Sequence, residues 1–318
     1  MLRRFEIDKG VLVASENDSA QILVLSAPDA AERERLVQEF DLDDHTVGSA
    51  LDPDEQARLE QWPEYTAVII KRPQNYSSKD QFVFKVSSVG IFYAKGKLVF
   101  VAPEDFPLFE GKQFQKVVSL PDVMLKVISR TIFHFYGHLK AINAISTEIE
   151  QKINTSMENR YLIHMFTLEK SLVYYVDALN SNEVAVECLR NNAQKLGMSA
   201  EAIDLLEDII VENRQCARQA EIYSNILSSL MDARASIVNN NLNILMKRLT
   251  VINVVFMPLN IVAGIGGMSE YTRFTTGIPW PVAYGMFVLG LIGVATLTYW
   301  VLRKLGLEGS RPARRPVR

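Results

Sequence analysis

From Leu249 to Gly267 the sequence carries no charged residue, and the same holds from Ile278 to Leu302. Each run is long enough to cross a hydrocarbon layer of about 30 Å, which takes roughly 20 helical residues. The chain therefore reads as a membrane protein with a large, charged N-terminal part. Its 318 residues suit two folded units. With 34 Lys+Arg against 37 Asp+Glu the net charge is −3, which argues against a nucleic-acid partner. The 12 Pro and 16 Gly are too few for a disordered or fibrous chain. Cys188 and Cys216 form neither a CxxC pair nor a zinc set, and fit a reduced setting better than a disulfide-stapled one. The opening MLRRFEIDKG lacks an apolar stretch after its arginines, so no cleavable signal peptide is expected.

Charge placement orients the spans. Lys247 and Arg248 precede the first; Arg303, Lys304, Arg311, Arg314, Arg315 and Arg318 follow the second. The connection between them holds Glu270 and Arg273. The positive-inside rule then puts both termini in the cytoplasm, with a short outer loop. Tyr271, Trp280 and Tyr284 suit the outer interface, and Tyr299 and Trp300 the inner.

The soluble part divides near residue 120. Before it, residues 21–26, 66–71, 82–86, 89–93 and 97–102 read as strands, with Lys95-Gly96 as a hairpin turn. Helical stretches such as 29–40, opened by Asp29, lie between them, so an α/β layer is expected. After Pro121 the chain reads helical, with breaks near Thr155–Glu158 and at Gly197-Met198-Ser199. Ser199 is a fitting N-cap for a helix running from about 200 to 267, about 100 Å at 1.5 Å per residue. A stalk or bundle needs such a helix. The expected fold class is an α+β membrane protein. An α/β cytoplasmic domain occupies 1–120, and long cytoplasmic helices follow at 121–248. Transmembrane helix 1 covers 249–267 and an outer (periplasmic) loop 268–279. Transmembrane helix 2 covers 280–302, and a basic cytoplasmic tail ends the chain at 303–318.

Steps of four and three along the last long helix give Asp232, Ser236, Asn239, Asn243, Met246, Thr250, Asn253, Met257, Asn260, Gly264 and Gly267. This is a heptad-type seam, yet it is polar or small where a bundle seam is apolar, and it stays so inside the membrane. Leu249, Val251, Ile252, Val254, Val255, Leu259, Ile261, Val262 and Ile265 cover the other faces. Asn253 and Asn260 have two readings: interhelical hydrogen-bond glue, or the wall of a water-filled path. The continuous stripe favours the path. One chain supplies one such helix, so a pore implies a homo-oligomer. Met246 and Met257, with Leu249 beside them, are candidates for a hydrophobic gate that narrows and dries the path. Pro258 lies mid-span and removes one backbone donor.

The run from Met246, MKRLTVINVVFMPLNIVAGIGGM, resembles the CorA family of divalent-cation transporters. The family pattern is met by Met246-Lys247, Leu249-Thr250, Phe256, Pro258-Leu259, Ala263-Gly264-Ile265 and Gly267-Met268. The resemblance implies a homopentameric funnel whose first span lines the pore and whose long helix forms the inner cytoplasmic wall. It implies pore-lining places for Asn243, Met246, Leu249 and Met257 and an acidic ring at Asp232. It also implies a regulatory metal ligand at Asp208. The family signature Gly-Met-Asn is here Gly267-Met268-Ser269, and the only acid of the outer loop is Glu270. That departure points to a divergent branch with altered ion preference, resembling the CmaX group.

Other constellations carry less. His134 and His138 share a helix face, where two imidazoles could hold zinc, but no H-E-x-x-H arrangement accompanies them. Acids at Asp41, Asp43, Asp44 and at Asp52, Asp54, Glu55 read as solvated loops near helix starts rather than as ion sites. There is no Walker A loop, dinucleotide fingerprint or nucleophile elbow, so no enzyme activity and no cofactor are expected.

The expectation is thus a channel or transporter for Mg2+, Zn2+, Co2+ or Ni2+ in the inner (plasma) membrane. Its partners are the lipid bilayer, further copies of itself and divalent metal ions, Mg2+ or Zn2+ also serving as regulators. A non-conducting scaffold or stress-related sensor that kept the fold is the alternative, and proton-coupled zinc transport a third reading.

Overall fold

The computed structural model describes residues 1–17, 19–76, 82–155 and 159–304. Two compact units divide them, Met1–Met231 and a second beginning at Asp232. The first unit opens with strands β1 (Leu2–Asp8), β2 (Val11–Ala14) and β3 (Ile22–Ser26) and helices α1 (Ala30–Phe40) and α2 (Asp44–Leu51). Strands β4 (Arg58–Gln61), β5 (Tyr65–Pro73), β6 (Val86–Ala94) and β7 (Lys97–Ala102) follow. They form one seven-stranded sheet in the order β2-β1-β3-β7-β6-β5-β4. Only β3 and β7 pair in parallel; the other neighbours are antiparallel.

The central strands are apolar without alternation because both faces of the sheet are covered. Ile22, Val24, Leu98 and Phe100 face one core, which includes Leu125, Ile128 and Phe135 of helix α3 (Leu120–Thr155) and Leu172 of α4 (Asn159–Asn191). Leu23, Leu25, Val99 and Val101 face the other, closed by Leu36 and Phe40 of α1 and Val47 of α2. Period-two side chains therefore sort one strand's residues into two cores.

Local chemistry sets the ends. Asp29 caps α1 through a reciprocal pair with Glu32, each side chain accepting from the other's backbone N–H, at 2.7 and 3.2 Å. The β6–β7 hairpin turns on Lys95 (φ 50°) and Gly96 (φ 72°), the left-handed pair that a two-residue turn requires. Three acids of the two clusters serve caps: Asp41 closes α1, Asp43 accepts from Thr46 N–H to open α2, and Asp52 closes α2, while Asp44 pairs with Arg33 and Glu55 with Arg58.

Three readings change. Residues 82–86 and 89–93 are not two strands; Ser87 and Ser88 stay in register opposite Arg72 and Lys71, giving one strand from Val86. Ser88 tolerates burial by donating to the Asp52 carbonyl at 2.7 Å. The strands β1, β2 and β4 carry no clear apolar alternation in sequence, because β2 and β4 are the sheet edges and β1 is charged. Helix α4 ends at Asn191, ahead of the Gly197 break, with Asn192 and Ala193 bonding three residues back. Of the break near Thr155–Glu158, residues 156–158 lie outside the described residues, as do Arg311, Arg314, Arg315 and Arg318 of the tail.

Helix α5 (Ala200–Gly266) is continuous over 67 residues, with Ser199 Oγ accepting from Ala202 N–H at 3.2 Å at its start. Its residues from Asp232 onward belong to the second unit, followed by α6 (Ser269–Phe274) and α7 (Trp280–Lys304).

Candidate pore-lining site

The second unit presents two helical segments long and apolar enough to cross a membrane, the C-terminal part of α5 and α7. Their apolar side chains are exposed in the single chain, Met257 at 68% and Ile261 at 58% among them. A water-soluble monomer does not leave such a surface bare.

The faces of α5 differ. Val251, Val255, Pro258, Leu259, Val262 and Gly266 are half-buried and recur at helical spacing along one side. Gly266 touches Phe287 of α7: a Cβ on Gly266 would sit 2.2 Å from the ring. Tyr271 of α6 adds a bond from its hydroxyl to the Ala283 carbonyl at 3.2 Å.

The polar stripe lies away from that side. Asn239, Asn243, Met246, Leu249, Asn253, Met257, Asn260 and Gly264 are all exposed. An open groove of about 500 Å3 runs past Thr250, Asn253, Met257 and Asn260, flanked by Val254, Phe256 and Ile261. Thr250 satisfies its hydroxyl within the helix, donating to the Met246 carbonyl at 2.8 Å. The amides of Asn253 and Asn260 have no hydrogen-bond partner among the described residues. In hydrocarbon an unpartnered amide is costly, so this face requires water, ions or other helices. Pro258 also frees the Val254 carbonyl, four residues back, from its helical donor.

At the end of α5, Gly267 N–H bonds back to the Ala263 and Gly264 carbonyls at 3.1 and 3.2 Å, and Met268 N–H to Ile265 at 3.1 Å. Met268 is extended and Ser269 opens α6, so the connection contains a short helix. Ser269 and Glu270 are exposed neighbours, with Ser269 Oγ 3.5 Å from Glu270 Oε2. Gly267, Met268, Ser269 and Glu270 thus stand together where α5 gives way to α6.

The acids expected in metal roles stand in different units. Asp232 is exposed at the start of the second. Asp208 is exposed on α5 in the first, one turn before Glu212, whose carboxyl is held above its usual range by burial and then by the Asp208 charge. No cluster of three or more His, Cys, Asp or Glu able to hold a metal occurs among the described residues. His134 and His138 do come together, rings 4.4 Å apart, but His138 Nδ1 is engaged by the Tyr175 hydroxyl at 2.7 Å. Burial, and then His134, push the His138 imidazole down to about 4.

The family model described as CorA-like Mg2+ transporter protein matches residues 17–304, from the sheet through both apolar helices. The chain belongs to that family. A cobalt/magnesium transport protein CorA of Thermotoga maritima is 26% identical over 186 residues, 57% of this CorA-like chain and 52% of that protein. The alignment thus spans about half the length of that relative. In fold, the complete CorA magnesium transporter of Methanocaldococcus jannaschii matches at TM-score 0.77 and 17% identity, covering 95% of this chain and 97% of that one. The full-length CmaX protein matches at TM-score 0.73 and 15% identity, covering 95% and 96%.

Sequence reasoning passed over one further grouping. Arg72 at the end of β5 and Arg130 and His134 on α3 meet at a cavity of the first unit. Arg130 and His134 are one turn apart on α3, but Arg72 is far from them in sequence and no motif joins the three, so only the packing of α3 on the sheet brings them together.

Proposed function

We propose that this CorA-like protein conducts divalent cations across the inner membrane through a central pore, formed by several copies, five by family precedent. The observation that carries the reading is the unpartnered polar face of α5 on an otherwise apolar, membrane-length helix. Oxygen atoms of Gly267 and Ser269, with Glu270, receive the hydrated ion at the outer mouth. Gly264 leaves room below the mouth, and rings of Asn260, Asn253, Asn243 and Asn239 carry it inward. Met257, Leu249 and Met246 form the constrictions, where apolar rings gate by excluding water. Asp232 attracts the ion on the cytoplasmic side, and Asp208 contributes to a regulatory metal site. Both termini are cytoplasmic, as the basic flanks direct.

Mg2+ gives up its water reluctantly, so a ring that holds the hydrated ion selects by reach and hydrogen-bonding capacity. A serine is shorter than an asparagine and offers a hydroxyl in place of an amide. A Ser269 ring is therefore wider, and shifts preference among Mg2+, Zn2+, Co2+ and Ni2+. A potential of about 100 mV supplies about 4.6 kcal/mol for a doubly charged ion, at roughly 2.3 per charge, so inward flux needs no nucleotide. The altered mouth also supports a second reading, a non-conducting scaffold or stress-related sensor.

Liposomes holding the purified protein distinguish the two. Under an imposed potential, uptake of at least one of the four ions is expected, abolished by Asn253→Leu and re-ranked by Ser269→Asn. No uptake of any ion by an intact oligomer rejects conduction and leaves the scaffold. Uptake that follows a pH gradient rather than the potential points to proton coupling.

A further inference from the structure

The first unit contains a cavity of about 370 Å3 between the end of β5, the segment Phe106–Glu110 and helix α3. Its polar lining is Arg72, Asn75, Arg130, Thr131 and His134, with Glu110 as the one acid among the lining residues. The apolar wall is Phe106, Pro107, Leu108, Val127 and Phe133. Nothing in the ion path described above uses these groups.

Arg72 is the anomaly. Its side chain is 3% exposed, yet it carries a full charge. One Nη bonds Glu104, which lies outside the cavity lining; the other donates to the Pro73 carbonyl at 3.2 Å; and the guanidinium stacks over Phe106 at 3.7 Å. The Nε–H is buried and has no partner among the described residues. A buried donor left unmade costs about 1–3 kcal/mol, and such orphans in folded proteins commonly mark a bound water or ion. Arg130, one wall away, is held among the described residues only by a 3.4 Å contact to Glu110, whose side chain is 70% exposed. An exposed pair of that length adds little, and Glu110 is free to swing into solvent. Burial, and then the charges of Arg72 and Arg130, press the His134 imidazole below its usual range, so both cations act on this ring. Thr131 lines the cavity but spends its hydroxyl proton on the Val127 carbonyl at 3.0 Å, so it brings no free donor to it.

Two guanidiniums and a neutral imidazole converging on one hollow form a donor set for an anion. Planar guanidinium forks match phosphate and carboxylate oxygens. The volume exceeds what a bare inorganic ion fills and falls within the range of sites that take small organic ligands. The aromatic and aliphatic wall offers burial to an uncharged body attached to the anion. We infer that this cavity is a binding site for a small organic phosphate, its phosphate held by Arg130 and Arg72 and its apolar body laid against Phe106 and Phe133.

The test uses the full chain in detergent and metal-free buffer, with isothermal titration of three probes: adenosine monophosphate, inorganic phosphate and citrate. Saturable binding of the nucleotide is expected, with inorganic phosphate at least about tenfold weaker for want of the apolar contacts, and citrate not bound. Arg130→Gln, at a half-exposed position that the fold tolerates, should weaken the nucleotide about tenfold or more, and His134→Gln should weaken it by less. Unchanged far-ultraviolet circular dichroism and thermal midpoint establish that both variants are folded. The inference is overturned if neither phosphate binds, as when a neighbouring copy's carboxylate fills the hollow. Citrate binding as tightly as the nucleotide overturns it, as does nucleotide affinity indifferent to Arg130→Gln.

Discussion

The side-chain amide of Asn182 stands in for a missing strand beside Lys71. Its Oδ1 accepts the Lys71 N–H at 2.7 Å and its Nδ2 donates to the Lys71 carbonyl at 2.8 Å. The pairing of β4 with β5 runs only from Arg58 opposite Ile69 to Gln61 opposite Thr66, so Lys71 has no strand on that side. The preceding residue of α4, Ser181, accepts the Ala57 N–H at 2.6 Å. One turn of α4 thus closes the sheet where β4 leaves it, and ties the helical layer to the strands.

Asn182→Leu should therefore remove two bonds at a site that is 1% exposed. Two buried backbone groups left unmade, at about 1–3 kcal/mol each, put the loss at roughly 2–6 kcal/mol. A lowered thermal midpoint and faster hydrogen exchange at the Lys71 amide are the expected readings. An unchanged midpoint would show that water replaces the amide.

Gly266 and Gly264 should respond oppositely to one methyl group. A Cβ at Gly266 would lie 2.2 Å from the Phe287 ring, whereas one at Gly264 meets nothing within 4 Å. Gly266→Ala is expected to destabilise the α5–α7 hairpin by about 1–3 kcal/mol through overpacking. Gly264→Ala should leave the chain folded and reduce ion uptake, if that face lines the pore. Thermal stability in detergent and liposome flux, measured on both variants, separate packing from conduction.

Stability should fall with acid through His138. Its pKa is about 4 in the folded chain against an ordinary 6.5, chiefly from burial. Between those values the unfolded state binds the proton more readily, so stability is full above about pH 6.5 and is lost as pH falls toward about 4. His134 is displaced in the same direction and adds to the slope. Denaturation at about pH 7 and about pH 5 should show the loss, and His138→Gln should flatten it. A slope unaltered by His138→Gln would assign the acid sensitivity elsewhere.

The two cysteines should react unequally. Cys216 is buried and its thiol is pushed up to about 12 by that burial, while Cys188 is half-exposed. Since the thiolate is the reactive form, a maleimide should label Cys188 first in the native chain and both residues after denaturation. Mass spectrometry of the labelled peptides reads the order, and early labelling of Cys216 would show that α5 opens locally.

Features carried by neighbours in sequence were legible in it. Two uncharged runs announce membrane-length helices, because transfer from water depends on composition over a stretch of chain rather than on partners. Asp29, Ser199 and the Lys95-Gly96 turn were readable because capping and turn chemistry act within four residues. The polar stripe from Asn239 to Gly264 was readable because helical periodicity projects it onto one face, and the family signature at Gly264 to Met268 follows from the same stretch. Packing decided the rest. The charged strand β1 and the edge strands β2 and β4 were hidden because pairing, rather than hydropathy, makes them strands. Ser87 and Ser88 belong to one long strand only because β5 and the Asp52 carbonyl receive them. The clasp of Asn182 on Lys71, the seat of Phe287 on Gly266 and the meeting of Arg72 with Arg130 join residues far apart along the chain. No local propensity encodes such contacts. They exist because burial of both sheet faces and of the α5–α7 contact brings those atoms together, and buried polar groups then hold only those partners that complete their hydrogen bonds.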